Sequence, residues 1–453
     1  MDDVRLSVKE KLGYGLGDAA ANFIFQTMLV FQLAFYTDTF GITAAAAGTL
    51  FLVVRVFDAV FDPFMGIIAD RTNTKWGKFR PWILWTAVPF GIAGYLTFST
   101  PDLGADGKLV YAYVTYILLM VVYSANNLPY SALSGVMTGD LGERTSLSSY
   151  RFVCAMLATV VVQGLALPMV KMFGGGDDAA GYRATIGIFS VLAVLFFLVT
   201  FSTTKERIAP DPKQQSSIAQ DFKDLFSNGP WIAMFVLTII LFITLSLRGG
   251  AMLYYFKYYL QREDLFSMFN VAGTGCTIIG VVLSKPLAMK YGKRNLFIMG
   301  LAATVVFTAV FYLLAPASVP LIVGTEMLRQ FAYGFTIPLL WAMMADVADF
   351  SEWKTGRRAT AVVFSAIVFG LKAGLGVGGA MGGYVLAAYG YVPNVAQTAE
   401  ALEGIKLSVS LLPALGFALC IVCLYFYRIS RTTEVEMTTT LTERRRVLAA
   451  ASA

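Results

Sequence analysis

The stretch TTKERIAPDPKQQSSIAQDFKDLFSNGP, residues 203–230, decides how the rest of the chain is read. It is the longest polar interval in 453 residues, and its Pro, Gln and Ser content is that of a connector. On either side the sequence is oily: 57% of the chain is hydrophobic, 14% is charged, and the mean hydropathy is +0.66. A soluble domain cannot cover itself with so few polar residues, so lipid is the main solvent. A bilayer core takes about 20 apolar residues per helix. Segments of that kind fall at 12–37, 44–69, 82–99, 109–137, 150–172 and 184–202 before the connector. After it they fall at 231–256, 266–289, 295–314, 318–345, 359–388 and 405–428. The expected fold is therefore an all-α membrane protein of twelve transmembrane helices in two six-helix halves. Its expected divisions are an N-terminal bundle over 1–202, a cytoplasmic connector over 203–230, a C-terminal bundle over 231–430 and a cytoplasmic tail over 431–453.

The net charge of +6 sits in short clusters between apolar segments rather than on one basic face, which argues against a nucleic-acid partner. With both termini in the cytoplasm, Arg71, Lys75, Lys78 and Arg80 face inward, as do Lys285, Lys290, Lys293 and Arg294. Lys108, Lys171, Arg183, Arg262 and Lys406 are left outside. A multi-pass protein of the bacterial inner membrane is expected. The start, MDDVRLSVKEKLGYGLGDAAANFIF, leads into an apolar segment without a small-residue cleavage site, so the first helix is expected to be retained. Cys154, Cys276, Cys420 and Cys423 all lie in apolar segments, and the C-x-x-C of the last two reads as helix packing. No histidine is present, which excludes a histidine proton relay. GLKAGLGVGGAMGGY, residues 370–384, lies inside a span without the strand-turn-helix setting of a phosphate loop. Its Gly374, Gly378 and Gly382 stand four apart, as close helix approach requires. No catalytic constellation or output domain is evident, so an enzyme or sensor is disfavoured, no cofactor is expected, and an ion gradient is the expected driving force.

Ionisable groups at membrane depth cost a few kcal/mol unless they face a partner or water. Arg55, Asp58 and Asp62 stand at i, i+3 and i+7, on one helix face. The two carboxylates offer hard oxygens to a monovalent cation, Na⁺ or Li⁺, or positions for a proton. A structural ion pair with Arg55 is the alternative, although one arginine cannot balance both. Ser124 and Asn127 are candidates to complete the cation's shell. Asp18, Asn22 and Gln26 follow at i+4 intervals in segment 1. With Asn127, Arg151 and Lys372 they could match sugar hydroxyls. For Asn22, glue between helices is an equal reading. Glu326 and Arg329, at i and i+3, can satisfy each other. Near the cytoplasmic ends, Asp70, Arg71 and Arg80 with Asp346, Asp349, Glu352 and Arg357 form either a salt-bridged gate or an ordinary charged surface.

A weak repeat joins the halves: GIIADRTNTKWGKFR (66–80) follows segment 2, and KPLAMKYGKRN (285–295) follows segment 8. This layout resembles that of major-facilitator transporters. FDAVFDPFMGIIADRTNTKWGKFRPW (57–82), KLGYGLGDAAANFIF (11–25) with FYTDTFGI (35–42), NNLPYSAL (126–133), ADVADFSEW (345–353) and GYVPNVAQTAEALEGI (390–405) resemble the glycoside-pentoside-hexuronide:cation symporter family, which includes the melibiose permeases. The resemblance implies cation coordination by Asp58 and Asp62, sugar binding by Arg151, and the segment 11 lysine at Lys372. Asn22 and Asn127 stand where melibiose permeases carry sugar-binding carboxylates, and Ala21 where a lysine precedes the first. A melibiose-like substrate is therefore not implied. A galactoside, xyloside, other pentoside or uronide stays open, with Asp18 taking over part of the hydrogen bonding. The expected function is cation-coupled symport of a sugar or glycoside by alternating access, with the bilayer as surroundings and no obligate protein partner. A carrier of lysolipids or other amphiphiles is the alternative.

Overall fold

The computed structural model describes residues 5–138, 141–207, 228–355, 360–430, 432–437, 439–441 and 443. Most of the expected connector and much of the expected tail lie outside these residues, as does Arg357. The described elements are almost entirely helical, with one isolated bridge between Thr74 and Gly77. In chain order the long helices are α1 (Val8–Ala34), α2 (Ala44–Arg71), α3 (Arg80–Thr97), α4 (Ala105–Met137), α5 (Leu141–Gly174) and α6 (Asp178–Thr203). They continue with α7 (Gly229–Tyr254), α8 (Phe266–Tyr291), α9 (Lys293–Val310), α10 (Val319–Gly334), α11 (Thr336–Thr355), α12 (Thr360–Ala388), α13 (Ala399–Val409) and α14 (Leu411–Phe426). Helices α10 and α11 divide one expected span, and α13 and α14 another, so twelve spans remain.

Eleven of these are long and apolar enough to cross a membrane. The twelfth, α3, has 18 residues and reaches about 27 Å at 1.5 Å per residue. The ends follow local chemistry. Ser7 accepts from the amide of Glu10, Thr43 from that of Ala46, and Asp177 from those of Ala179 and Ala180. A π-helical turn at Phe35–Phe40 ends on Gly41, whose φ of +86° suits glycine. Between α13 and α14, Pro413 cannot donate to the Val409 carbonyl four residues back, and Arg248 Nε takes that position at 3.0 Å.

Packing groups the chain into two compact units. One comprises Met1–Pro212, Met252–Val271 and Gly379–Leu402; the other comprises Lys213–Ala251, Ala272–Gly378 and Glu403–Ala453. This grouping follows contacts and differs from the half-by-half division drawn on the sequence. In the first unit the end of α6 closes on the loop before α3. Glu206 accepts from the backbone amides of Lys78, Phe79 and Arg80 at 2.8, 2.7 and 2.8 Å. Beside it Arg207 forks onto Glu10 at 2.7 and 3.0 Å, and this hydrogen bonding raises the guanidinium above its ordinary pKa.

The second unit has an aliphatic and aromatic core built on Trp231, Leu237, Phe297, Met343 and Phe417. Gly374 and Gly378 let α12 lie against α7: a Cβ there would stand 2.6 Å from the Ile239 carbonyl and 2.3 Å from that of Ile243. Within the first unit it is Gly383 that meets backbone, since its Cβ would lie 2.4 Å from the Ala44 carbonyl.

Candidate functional site

The two candidate carboxylates of α2 lie at different depths. Asp58 is 1% exposed, and its Oδ1 accepts from Ser124 Oγ on α4 at 2.8 Å. Its Oδ2 lies 3.7 Å from Arg55, within ion-pair range but too far for a hydrogen bond. One turn on, Asp62 is half-buried, with Oδ1 shut off from solvent. Pro63 follows it inside the helix, so the Ala59 carbonyl loses its α-helical N–H on the turn between the two acids. The arrangement thus gathers two carboxylates, a hydroxyl and a carbonyl oxygen freed from the helix ladder. Phe61 and Met65 of α2 pack with Ala125 of α4 in a small apolar cluster.

A second polar group lies on α1 and α5. Arg151 donates through Nε to Asp18 Oδ2 at 2.9 Å, and its guanidinium stands 5.3 Å from the centre of the Tyr130 ring. Among the described residues that is its one hydrogen bond, so both terminal nitrogens still point donors outward from a side chain 30% accessible. Up the same face of α1, Asn22 Nδ2 donates to the Asp18 carbonyl at 2.8 Å, and Gln26 Nε2 donates to Asn22 Oδ1 at 3.3 Å. The Asn22 and Gln26 side chains therefore form a ladder that starts on the Asp18 backbone carbonyl, while the Asp18 carboxylate is taken by Arg151. The Phe25 and Tyr123 rings stack at 6.0 Å beside it.

The adjacent asparagines of α4 separate. Asn126 is buried and donates to Thr86 on α3 at 2.7 Å, so it holds helices together. Asn127 is half-buried and makes no hydrogen bond among the described residues, which leaves its amide available to a ligand. Ser124 donates to Asp58; among the described residues Asn127 is bonded to neither α2 carboxylate. Lys372 is half-buried on α12, in the second unit.

The residues expected to gate are placed variously. Arg80 donates to the carbonyls of Trp76 and Phe201 at 3.2 and 2.6 Å and stacks on the Phe201 ring, so its bonds serve the α3–α6 junction. Arg71 is exposed, and the side chain of Asp70 lies outside the described residues. In the second unit Asp346 takes Lys293 through both oxygens at 2.8 Å, and the same lysine lies 2.6 Å from Glu434. Asp349 and Glu352 follow on α11 in half-buried positions.

Two clusters escaped the sequence. In the first, Asp38 receives Lys257 Nζ at 2.5 Å and Tyr258 Oη at 2.6 Å on Oδ2, while Tyr391 donates to Oδ1. Asn394, at φ +59°, donates to the Asp38 carbonyl at 2.6 Å and accepts from Lys257 at 2.9 Å. In the second, Glu326 holds both Arg329 at 2.6 Å and Arg248 at 2.7 Å, so the anticipated pair is a triad. The signal available for both was the cost of a bare Arg or Lys in an apolar segment.

The model of the family described as MFS/sugar transport protein matches residues 13–431. The inner membrane symporter YicJ of Escherichia coli (strain K12) is 40% identical over 91% of this chain and 90% of its own length. The chain belongs to the glycoside-pentoside-hexuronide:cation symporter family. An isoprimeverose transporter of Lactiplantibacillus pentosus is 37% identical over 93% of this chain and 89% of its own. The crystal structure of a variant of the nucleoside transporter NupG superposes with a TM-score of 0.67 over 92% of this chain and all of that one. At 13% identity that likeness concerns the fold alone, a major-facilitator arrangement of two six-helix halves. As a symporter-family member the chain is a multi-pass membrane transporter of the sugar class and not an enzyme.

Proposed function

We propose that this symporter couples a monovalent cation, Na⁺ or H⁺, to the movement of a small sugar or glycoside through the bacterial inner membrane by alternating access. The observation that carries it is the presence, within one compact unit, of two kinds of site. Asp58, Asp62 and Ser124 offer carboxylate and hydroxyl oxygens of the kind a small cation takes. Asp18, Arg151, Asn22, Gln26 and Asn127 form a polar surface whose donors and acceptors suit hydroxyl groups. An amphiphile carrier would need an apolar stripe where this ladder stands.

Linkage requires that cation and sugar raise each other's affinity equally if they are coupled at equilibrium. The likeness to an isoprimeverose transporter supports a short saccharide, and the Asn22 and Asn127 amides support a neutral one. Asp38 and its donors are the candidate closure that must yield during the cycle, and Lys372 remains a candidate sugar ligand. The test is uptake into vesicles of labelled galactosides, xylosides and uronides under an imposed Na⁺ gradient, an imposed H⁺ gradient, or neither. Accumulation of one sugar under one gradient supports the reading. Equal equilibration of every sugar irrespective of gradient would refute the coupling.

A further inference from the structure

The second unit carries a groove of about 620 Å³ whose described lining includes none of the residues assigned to the cation or the sugar. Ile232, Ala233 and Val236 of α7, with Phe426 of α14, give it an apolar wall; Lys354 of α11 and Arg428, just beyond α14, stand at its edge. Both cations are exposed, and among the described residues neither belongs to an ion pair. Lys354 instead lies 4.9 Å over the Phe350 ring. Among the described residues no acidic side chain lines the groove. Charges kept apart from carboxylates beside a greasy channel are arranged for an anion that brings its own hydrocarbon.

We propose that this groove binds an anionic phospholipid of the cytoplasmic leaflet, its acyl chain along α7 and α14 and its phosphodiester between Lys354 and Arg428. The sidedness follows from the basic residues at the ends of α11 and α14, which the positive-inside rule puts in the cytoplasm. Basic pockets between helix ends on that side attract anionic head groups, and each cation near the surface contributes roughly fivefold in affinity. A zwitterionic lipid would fill the apolar wall but gain nothing from two cations. Free phosphate would meet the cations but leave the wall uncovered. A helix from a second copy would need acidic residues opposite Lys354 and Arg428.

The experiment compares phosphatidylglycerol with phosphatidylcholine on the purified full chain, by native mass spectrometry of retained lipid and by thermal unfolding in mixed micelles. Phosphatidylglycerol should be retained preferentially. Lys354→Ala and Arg428→Ala should each cut that preference roughly fivefold, and the double variant should retain the two lipids equally. Val236→Trp, which crowds the apolar wall, should lower retention of phosphatidylglycerol with the charges intact. Because the charged side chains are exposed, their loss should leave unfolding in phosphatidylcholine unchanged. The proposal is overturned by equal retention in the wild type, by a preference that survives the double variant, by full displacement with glycerol phosphate, or by a dimer whose formation depends on the two cations.

Discussion

Arg151 on α5 donates to Asp18 on α1 at 2.9 Å, so two residues expected to meet the sugar meet each other. The carboxylate fixes one edge of the guanidinium and leaves the terminal nitrogens for a ligand. Arg151→Lys keeps the charge but loses the planar fork. Sugar affinity should fall about tenfold or more, the loss of at least one charge-assisted hydrogen bond worth about 1.5–3 kcal/mol. Titration calorimetry of the purified transporter against its sugar checks this; undiminished affinity would return Arg151 to the frame.

The α2 carboxylates should act on coupling rather than on sugar recognition. Asp58→Asn and Asp62→Asn are expected to abolish gradient-driven accumulation while leaving sugar exchange at equal concentrations on both sides. Ser124→Ala removes the hydroxyl 2.8 Å from Asp58 and should weaken cation dependence without abolishing it. Vesicle uptake against counterflow separates the two activities.

Asp38 should show strong coupling to its lysine. Lys257→Met leaves a carboxylate partly enclosed by tyrosines with its cation gone, a change that costs about 3–5 kcal/mol for a buried pair. Asp38→Asn combined with Lys257→Met should recover a good part of the lost thermal stability. If the double variant is no more stable than the single one, the two residues do not act as a pair. Transport by the double variant should nonetheless be altered, since its closure is held by weaker bonds.

Gly378 should tolerate no side chain. A Cβ there would stand 2.3 Å from the Ile243 carbonyl, so Gly378→Ala must push α12 from α7 and should cost about 1–3 kcal/mol. Gly275 on α8 has open space around the same position, and Gly275→Ala should be neutral or slightly stabilising. Thermal unfolding of the two variants side by side distinguishes packing from a general effect of glycine loss.

Much of this was legible in the sequence because hydropathy and length alone set the spans. The expected segment at 359–388 became Thr360–Ala388, and 109–137 became Ala105–Met137. The breaks at Phe335 and Ser410 were not drawn from the sequence, although Gly334 and Pro338 flank the first and Pro413 follows the second, because hydropathy over a whole span averages such residues away. Ser124 was named with Asp58 as a candidate oxygen for a cation, and the structure joins the two by a hydrogen bond. Asn126 and Asn127 could not be told apart, as one residue of rotation decides which amide turns toward Thr86. Arg80 looked like a gate charge because its partners are carbonyls, which no composition reveals. Asp38 and Arg248 find their partners across more than seventy positions, a distance at which local pattern carries no information.

The ladder from Asp18 through Asn22 to Gln26 has one further consequence. Each amide already spends one N–H inside the ladder, Asn22 on the Asp18 carbonyl and Gln26 on Asn22 Oδ1, so an arriving hydroxyl meets groups that are partly satisfied rather than bare. Recognition on this face is then an exchange between near equals. Such a surface releases its cargo readily and accepts related sugars with small differences in affinity. Substitution of a single amide would shift the preference among them by modest steps, which lets selectivity drift without dismantling the carrier.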